Sequence, residues 1–256
     1  MNFTIGADPE VFVGDSLGPK SIIGKIGGTK ELPLPLPLGD GFAVQEDNVA
    51  LEFNIPASGS KAEFVHNIQQ ATGFLQSVIK DSHGLSFLRD SALSFPKEEL
   101  TDPRALVFGC DPDYNCWTGR MNPRPKADDP ALRSCGGHVH IGVDGLDPME
   151  VGKGCDLVLG VTSVLQDKGF LRKKLYGKAG AIRRKSFGLE YRVLSNYWIF
   201  EPKLIEWVYD GVDRVLEMVN SGVSFDEDRE NIITAINSNN ETMARHLIDK
   251  YNLKLA

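Results

Sequence analysis

The chain has 256 residues, of which 41% are hydrophobic and 25% are charged, and its formal net charge is −7. This balance is typical of a globular protein with a sizeable core, and the negative charge disfavours unspecific coating of nucleic acid. No stretch is long and apolar enough to span a membrane, no signal peptide is recognisable, and the four cysteines lack close-paired spacing. These features predict a cytoplasmic protein with reduced thiols.

The first strand-like segment, Phe3 to Val13, carries two acids in alternate positions. Asp8 and Glu10 project to the same side if the strand continues through Pro9. Such a pair offers the hard oxygen ligands that magnesium and manganese select. An acidic turn at the start of a strand is the alternative interpretation.

The segment Leu32–Leu38 alternates leucine with proline. Proline cannot donate a backbone hydrogen bond to a neighbouring strand, so this pattern predicts an extended, polyproline-like loop. We interpret it as a flap or an interaction strip.

The next segment, Gly41 to Asn54, has the pattern of a hairpin with its turn at Asp47–Asn48. Glu46 lies at this predicted turn, and Glu52 shares one face of the second strand with Asn54. A half-buried strand with a solvent-facing glutamate is the alternative.

Ser60 and Glu63 form a capping-box pattern before apolar residues at helical spacing, which predicts a helix from Lys61 to about Lys80. Further strands are expected within Leu85–Phe95 and at Ala105–Phe108.

A loop-rich segment runs from Gly109 to Lys126, and long loops inside compact domains are often functional. It contains acidic, aromatic and basic side chains, namely Asp111, Asp113, Trp117, Arg120 and Arg124.

The segment Ser134–Gly142 reads Ser-Cys-Gly-Gly-His-Val-His-Ile-Gly. Its alternation predicts a strand, in which His138 and His140 point to the same side. The preceding pair Gly136-Gly137 leaves the backbone bare enough for a phosphate or a metal-bound ligand to come close. A half-buried strand with two satisfied histidines is the alternative.

Asp147 and Pro148 mark a helix start, and this helix is expected to run to about Lys168. The segment Gly188–Leu194 then predicts a strand with Glu190 and Arg192 on one face.

The region from Arg172 to Arg192 is strongly basic in an acidic protein, with Glu190 as its one acid. Its basic residues are Arg172, Lys173, Lys174, Lys178, Arg183, Arg184, Lys185 and Arg192. A solvated loop and a nucleic-acid contact are alternatives, but a cradle for polyphosphate fits the local concentration of charge best. Beyond it, Pro202–Asn220, Asp226–Asn237 and Thr242–Tyr251 have the pattern of amphipathic helices.

Four strands therefore offer polar faces suited to metal or phosphate. Their paired residues are Asp8 with Glu10, Glu46 with Glu52, His138 with His140, and Glu190 with Arg192. Carboxylates with one imidazole can bind two or three divalent cations, and cations with arginines can hold a nucleoside triphosphate for phosphoryl transfer.

The chain resembles the carboxylate–amine ligases of the glutamine synthetase and glutamate–cysteine ligase superfamily in four motifs and in their order. These motifs are the acidic pair, the Glu-turn-Glu-x-Asn strand, the Gly-Gly-His-Val-His-Ile-Gly strand and the Glu-x-Arg strand. Among these ligases, the chain most resembles the compact phage-type amidoligases of type 2. The resemblance extends from Gly6 to about Asn196. It implies an α+β fold in which a curved, mostly antiparallel sheet forms an open half-barrel backed by helices. It also implies one glutamine synthetase-like catalytic domain over residues 1–256, with a helical portion at 198–256.

The resemblance implies ATP with Mg²⁺ or Mn²⁺ on the concave face. Asp8 would take the place of the first family glutamate and Glu10 of the second. Glu46 and Glu52 would form the metal site nearer the acceptor carboxylate, while Glu190 and one of the two histidines would join Asp8. The implied metal ligands are Asp8, Glu10, Glu46, Glu52, His138 and Glu190. The implied cofactor-binding residues are His138, His140, Lys185 and Arg192, and the implied catalytic residues are Arg192, Arg183, Arg184 and Glu52.

The implied reaction is ATP-dependent amide formation through an acyl phosphate. Its substrates would be a small-molecule or peptide carboxylate and an amine, in the cytoplasm, or in the host cytoplasm for a phage-encoded protein. Neither a membrane nor a nucleic acid is expected as a partner. The proline-rich segment or the loop from Gly109 to Lys126 would exclude water from the site.

Three competing hypotheses stay open. A metal-dependent hydrolase would use His138 and His140 as zinc ligands. A zinc module could be built from Cys110, Cys116, Cys135 and His138. The third is a binding protein without catalysis, which would hold a nucleotide or contact nucleic-acid phosphates.

Overall fold

The computed structural model describes residues 2–106, 113–123 and 128–256. In these ranges the strands are β1 Thr4–Ala7, β2 Glu10–Asp15, β3 Gly18–Lys20, β4 Leu34–Pro35, β5 Ala43–Asp47, β6 Ala50–Asn54, β7 Ser86–Leu88, β8 Ala92–Ser94, β9 Tyr114–Asn115, β10 Leu132–Ser134, β11 Val139–Gly142, β12 Ala181–Lys185 and β13 Gly188–Tyr191. The α-helices are α1 Lys61–His83, α2 Pro148–Cys155, α3 Val161–Gln166, α4 Pro202–Asn220, α5 Arg229–Asn237 and α6 Glu241–Tyr251.

The strands form two main sheets in which all pairs are antiparallel. One has the order β1-β11-β13-β12-β9, and the other has the order β3-β2-β6-β5-β4, with β7 also paired to β2. The strands β8 and β10 form a separate pair.

The two sheets meet at Asp8–Pro9, which separates β1 from β2. Backbone bonds continue across this junction on both sides: Glu10 N donates to Gly136 O at 2.9 Å, and Phe53 N donates to Pro9 O at 3.2 Å. The chain from Thr4 to Asp15 is therefore shared by both sheets, which curl together into a half-barrel. This confirms the predicted α+β class with a curved, mostly antiparallel sheet.

Helix α1 covers one side of the sheet with an apolar stripe. Phe64, Ile68, Leu75 and Ile79 are fully buried at helical spacing. The side chain of Ser60 accepts from Glu63 N at 3.3 Å, as its position before the helix predicts. Burial of this stripe is the main source of the helix's stability, since isolated helices are marginal in water.

A second helical run begins at Asp147, whose Oδ1 accepts from Met149 N at 2.9 Å. It continues through α2, a π-helical turn at Asp156–Gly160, and α3. The predicted helix to about Lys168 is thus correct to within two residues, but the sequence pattern gave no indication of the π-helical turn. Near the carboxyl terminus, α4, α5 and α6 match the three predicted amphipathic helices.

Three local predictions differ from the structure. Leu34–Pro35 is a short edge strand rather than a free loop, because the intervening leucines keep their N–H groups and Leu36 N donates to Phe42 O at 2.9 Å. The hairpin turn lies at Asn48–Val49, one residue later than predicted. Pro103–Leu106 is a 3₁₀ helix rather than the start of a strand, and residues 107–108 lie outside the described ranges.

Within the described ranges, no helix is both long and apolar enough to cross a membrane. The predicted compartment and the predicted division of the chain into a catalytic domain with a helical portion stay predictions.

Candidate active site

Two groups of metal-suited side chains lie next to each other on the face of the curved sheet, one on each side of the Asp8–Pro9 junction. The first, which we call the histidine group, consists of Asp8, His140 and Glu190. The second, which we call the acidic group, consists of Glu10, Asp47 and Glu52. In each group, one ligand atom from every residue lies within 4.8 Å of the others.

The histidine group is positioned by the register of β11 and β13. His140 lies directly opposite Glu190 in this pairing, and opposite Gly6 on the other side. Asp8 follows β1 and brings its Oδ2 to 3.2 Å from His140 Nε2. Because side chains directly opposite one another share a face, the strand alternation brings these three together.

Glu190 is fully buried and surrounded by cations. Its carboxylate contacts Arg192, lies 3.1 Å from Arg183 Nη1, and lies 2.8 Å from Lys185 Nζ. Burial raises the pKa of Glu190, as does Asp8, but Arg192, His138 and Arg183 outweigh them and hold it at about 2. Glu190 is therefore ionised and collects the basic side chains at one side of the face.

Asp8 lies between the two histidines. Burial opposes its ionisation, but His140 and His138 hold the pKa of Asp8 well below its usual range. Burial also lowers the pKa of His140, yet the Asp8 carboxylate more than compensates and the net shift is upward. Asp8 Oδ1 and His140 Nε2 are buried, and apart from the contacts between Asp8 and the two histidines they have no hydrogen-bond partner among the described residues. Two such atoms side by side fit a site for a cation.

The acidic group is positioned by the β2–β6 and β5–β6 pairs. Glu52 lies directly opposite Glu10 on one side and opposite Gln45 on the other. Asp47 follows Gln45 by two residues and so projects to the same face. Gly136 N donates to Glu10 Oε2 at 2.7 Å and fixes its orientation.

Crowding of three carboxylates shifts their protonation. Burial, followed by the charge of Asp47, raises the pKa of Glu10 to about 7. Burial and the charges of Asp8, Asp47 and Glu10 raise the pKa of Glu52 well above its usual range. Burial also raises the pKa of Asp47, against the opposing effect of Lys30 and Arg192. A divalent cation relieves this repulsion, so the donor set of the acidic group fits Mg²⁺ or Mn²⁺.

Glu46 does not join the acidic group. Its Oε1 accepts from Gly24 N at 2.8 Å and Gly27 N at 2.9 Å, and its Oε2 lies 3.0 Å from Arg104 Nη1. Because the turn begins one residue later than predicted, β5 extends to Asp47, and alternation turns Glu46 to the other face. Asp47 takes the expected place of Glu46, and the expected pairing of Glu46 with Glu52 is wrong.

A signal for this register was available in Asn48. This residue has φ +54°, a left-handed conformation that asparagine tolerates better than other non-glycine residues. Assigning Asn48 rather than Asp47 to the first turn position would have placed Asp47 at the end of the strand.

The three basic residues at the end of β12 divide between its two faces. Arg183 lies opposite Glu190 in the β12–β13 register, and Lys185 shares its face. Arg184 lies opposite Leu189, which belongs to the buried core, and is itself exposed. The structure therefore brings Arg183 and Lys185 to the histidine group but does not bring Arg184 there.

His138 is nine-tenths buried beside the histidine group but is not part of it. Its Nδ1 lies 3.4 Å from Asp8 Oδ1 and 3.4 Å from Arg192 Nη1. Burial and the Arg192 charge lower the pKa of His138 to about 4, so its ring is neutral at physiological pH. Both histidines thus face Asp8, as the alternation predicts. His138 Nδ1 also lies 3.8 Å from Glu190 Oε1, but among the described residues it is His140 that forms a metal-suited group with the two carboxylates.

The glycine pair is filled by the protein itself rather than left bare for a ligand. A Cβ on Gly136 would lie 2.2 Å from His138 Nε2, and a Cβ on Gly137 would lie 2.3 Å from Ser195 O. The expectation of an open backbone here is wrong, since side chains and backbone from distant segments occupy the space. These glycines let His138 and the segment after Arg192 pack closely on the face.

Substitution of Gly137 by alanine is expected to lower the free energy of unfolding by more than about 2 kcal/mol, because its Cβ would meet the backbone of Ser195. Gly73→Ala is the matched control, since a Cβ there meets nothing within 4 Å and the residue lies inside helix α1. The control should be neutral or more stable by up to about 1 kcal/mol. Urea unfolding of both variants measures this, and equal stabilities would contradict the packing described.

A buried carboxylate that was not predicted supports the face from behind. Asp156, in the π-helical turn, accepts from Trp117 Nε1 and Gly180 N at 2.6 Å each, and from the Tyr191 hydroxyl at 2.9 Å. Burial raises the pKa of Asp156 to about 6, against these three donors. Since Tyr191 ends β13 and lies between Glu190 and Arg192, Asp156 anchors the segment that carries them.

Part of the loop from Gly109 to Lys126, which we predicted to be functional, lies within the residues that the structure describes. Asp113 Oδ2 lies 3.7 Å from Arg192 Nε, so this end of the loop reaches the site. Cys110, Asp111, Arg124 and Lys126 lie outside the described residues.

The thiols give no support to a zinc module. Burial raises the pKa of Cys116 and of Cys135 well above the usual thiol range, which disfavours the thiolate that zinc requires. Among the described residues, neither belongs to a group of metal-suited side chains.

Residues 131–248 match the family model described as phage phiEco32-like COOH.NH2 ligase-type 2. The matched residues make up slightly less than half of the chain. The match confirms the predicted resemblance to phage-type amidoligases and indicates a carboxylate–amine ligase. It includes His138, His140, Glu190 and Arg192, whereas Asp8 and the acidic group lie before it and rest on the geometry alone. No curated protein matches the chain.

Proposed function

We propose that this protein is an ATP-dependent carboxylate–amine ligase that forms an amide through an acyl phosphate. The observation that carries the proposal is the pair of adjacent metal-suited groups on one face, with Arg183 and Lys185 beside the histidine group and Arg192 close to both groups. A phosphate chain needs both cations and basic side chains, and a carboxylate acceptor needs a place next to it.

One divalent cation would be held by the histidine group and another by the acidic group, and when bound these ions would neutralise and orient the phosphate oxygens. In the histidine group the fit rests on two buried atoms, Asp8 Oδ1 and His140 Nε2, whose polar contacts are those between Asp8 and the two histidines. In the acidic group it rests on the repulsion between three carboxylates. Mostly oxygen donors favour Mg²⁺ or Mn²⁺ over zinc.

The basic residues would act on the transferred phosphoryl group. Arg183, Lys185 and Arg192 converge on the Glu190 carboxylate, so they are held close together before a substrate arrives. Their donors would bind phosphate oxygens and stabilise the charge that develops as the acceptor carboxylate attacks the γ-phosphorus. The product of this step is an acyl phosphate and ADP. Amine attack on it then forms the amide, with loss of a proton and release of phosphate.

A carboxylate of the acidic group is the base that we assign to the amine. Glu10 and Glu52 lie directly opposite each other, so whichever of them does not bind the cation is placed to accept the proton of the amine. Glu52, implied as catalytic by the resemblance, would share this role or serve as a ligand.

The zinc hydrolase hypothesis is less well supported. Such a site would use both histidines, but His138 faces Arg192 and lies outside the group formed by His140, Asp8 and Glu190. That hypothesis also leaves Arg183 and Lys185 without a role.

Thermal unfolding with ATP, in the presence and absence of Mg²⁺ or Mn²⁺, tests the proposal. A ligand at a hundredfold excess over its dissociation constant stabilises a protein by about 2.7 kcal/mol. We expect this gain in the wild type only when metal and ATP are both present, and its loss in Glu190→Gln. Glu201→Gln is the control, because Glu201 is exposed and pairs with Arg89 on the surface.

Asp8→Asn provides a second variant in which fewer ion pairs are broken, should Glu190→Gln fold poorly. The absence of any ATP effect with either metal in the wild type would overturn the proposed function.

A further inference from the structure

A small pocket opens beside the acidic group, and Glu10 and Asp47 line it. We call it the arginine pocket, and its charged walls are formed by Glu10, Asp47, Arg133, Arg172 and Arg192. The neutral polar residues Asn48, Ser134, His138 and Tyr176 also line it. Apolar side chains close it, among them Phe12, Val49, Ala50 and Leu175. It lies between the turn of the β5–β6 hairpin and the segment that begins at Arg172.

The charge of the pocket favours an anion. Three arginines, Arg133, Arg172 and Arg192, line it together with two carboxylates, those of Glu10 and Asp47, so cationic side chains outnumber anionic ones. A cation held by the acidic group would add further positive charge. All three arginines are nine-tenths or more buried, so their attraction for an anion is weakly screened by water.

Arg172 carries an unused donor in this pocket. It is 3% exposed, and its terminal nitrogens donate to Val193 O at 3.1 Å and to Arg192 O at 3.3 Å. Its Nε has no hydrogen-bond partner among the described residues. A buried donor without a partner is costly, and an oxygen of a bound ligand would remove that cost.

The size of the pocket restricts the anion. Its volume is about 60 Å³. At roughly 10–15 Å³ for each water-sized group, this holds about four to six non-hydrogen atoms. A triphosphate is far too large, whereas a carboxylate on one or two carbons fits.

We infer that the arginine pocket binds the carboxylate end of the acceptor substrate, and that this end is unbranched, as in an aspartate or glutamate side chain or a terminal glycine. The inference rests on the proposed function and adds to it the class of acceptor. It places the acceptor beside the acidic group and leaves the basic side of the histidine group to the nucleotide. A carboxylate branched next to its carboxyl carbon is excluded by the apolar walls.

A size series of carboxylates on the wild-type protein tests this directly. Acetate, propionate and pivalate are titrated at constant ionic strength with Mn²⁺ present, and binding is followed by the thermal midpoint and by broadening of the ligand NMR signals. We expect acetate and propionate to bind at least roughly tenfold more tightly than pivalate, since extra methyl groups in a full pocket carry such a penalty. Equal binding of all three would overturn the inference.

Two variants locate the binding. Ala50→Leu fills the pocket without changing a charge, and Arg172→Lys keeps the charge but removes the Nε donor. Each should weaken acetate and propionate binding by about tenfold or more while the stabilisation by ATP with Mn²⁺ stays. Unchanged carboxylate affinity in both variants, or in whichever of them folds, would overturn the inference.

The outcomes separate the two proposals. If ATP with metal stabilises the wild type but small carboxylates show no size preference, only the pocket inference fails. If carboxylates bind with the expected preference but ATP has no effect, the pocket stands as a carboxylate site and the proposed function fails.

Discussion

Replacing Arg183 by methionine is expected to lower the affinity for ATP with Mg²⁺ by about 10–100-fold, because a donor to a charged group contributes about 1.5–3 kcal/mol. Turnover should fall further, by about 10²–10³-fold, if the guanidinium also stabilises the charge that develops on the phosphoryl group. Its Nη1 lies 3.1 Å from the Glu190 carboxylate, and the side chain is 17% exposed, so it can reach a ligand in the site. Calorimetric titration with ATP and Mg²⁺ measures the affinity, and carboxylate-dependent release of ADP measures turnover.

Arg184→Met is the matched control for this prediction. It removes the same charge from the adjacent position, but Arg184 lies on the opposite face of β12, opposite Leu189. Its effect on affinity should stay within about twofold, as for most exposed substitutions. Equal losses in the two variants would mean that net positive charge in this strand matters rather than the position of one guanidinium.

The strand faces could be predicted from sequence because their cause is local. Alternation along a strand sends His138 and His140 to one side, and the structure places both beside Asp8. The same two-residue period puts Glu190 and Arg192 in contact. The pairing of distant strands cannot be predicted from their own residues. The prediction that these strands form one curved sheet therefore came from the resemblance to a known family.

A one-residue error in a turn was enough to misplace a site residue. The sequence correctly predicted a hairpin between Gly41 and Asn54, but the turn lies at Asn48–Val49. As a result, Asp47 rather than Glu46 joins the acidic group on the face of the sheet. Because side chains alternate between the two faces of a strand, a register error of one residue assigns every side chain of the strand to the wrong face.

The remaining features depend on contacts between distant parts of the chain. The atoms that fill the space beside Gly137 come from Ser195 and Trp198, and Asp156 supports the strand at Tyr191 from the helical layer. No periodicity in the sequence encodes such contacts. The Gly136-Gly137 pair correctly indicated that other atoms come close to the backbone here. Only the tertiary structure shows which residues supply those atoms.

Asp47→Asn is expected to stabilise the metal-free protein and to abolish its response to Mg²⁺ or Mn²⁺. The acidic group holds three carboxylates together, and burial, followed by the charge of Asp47, raises the pKa of Glu10 to about 7. Between pH about 4.5 and about 7, the unfolded chain releases the Glu10 proton while the folded protein keeps it, so the free energy of unfolding falls as the pH rises. Removing one charge reduces this loss, and at pH 7.5 the gain should be on the order of 1–3 kcal/mol.

Other groups also titrate in this range, so the difference between wild type and variant is the quantity to measure. The lowered pKa of His138, at about 4, acts in the opposite direction, and Asp156, with its pKa at about 6, acts in the same direction; both are present in both proteins. The difference in unfolding free energy should therefore be small near pH 4.5 and grow toward pH 7.5. Urea unfolding at several pH values without metal provides it.

Glu46→Gln is the control that separates the acidic group from its neighbour in sequence. Glu46 accepts hydrogen bonds from Gly24 and Gly27 and pairs with Arg104, so its substitution should lower stability at pH 7.5. It lies outside the acidic group, and stabilisation by Mn²⁺ should therefore persist in this variant. If Asp47→Asn instead destabilised the metal-free protein and kept its metal response while Glu46→Gln lost it, Glu46 rather than Asp47 would be the ligand. A carboxylate that binds a metal but destabilises the metal-free fold should give a variant that is more stable without metal and no longer binds metal. A carboxylate that stabilises the fold should not give this combination.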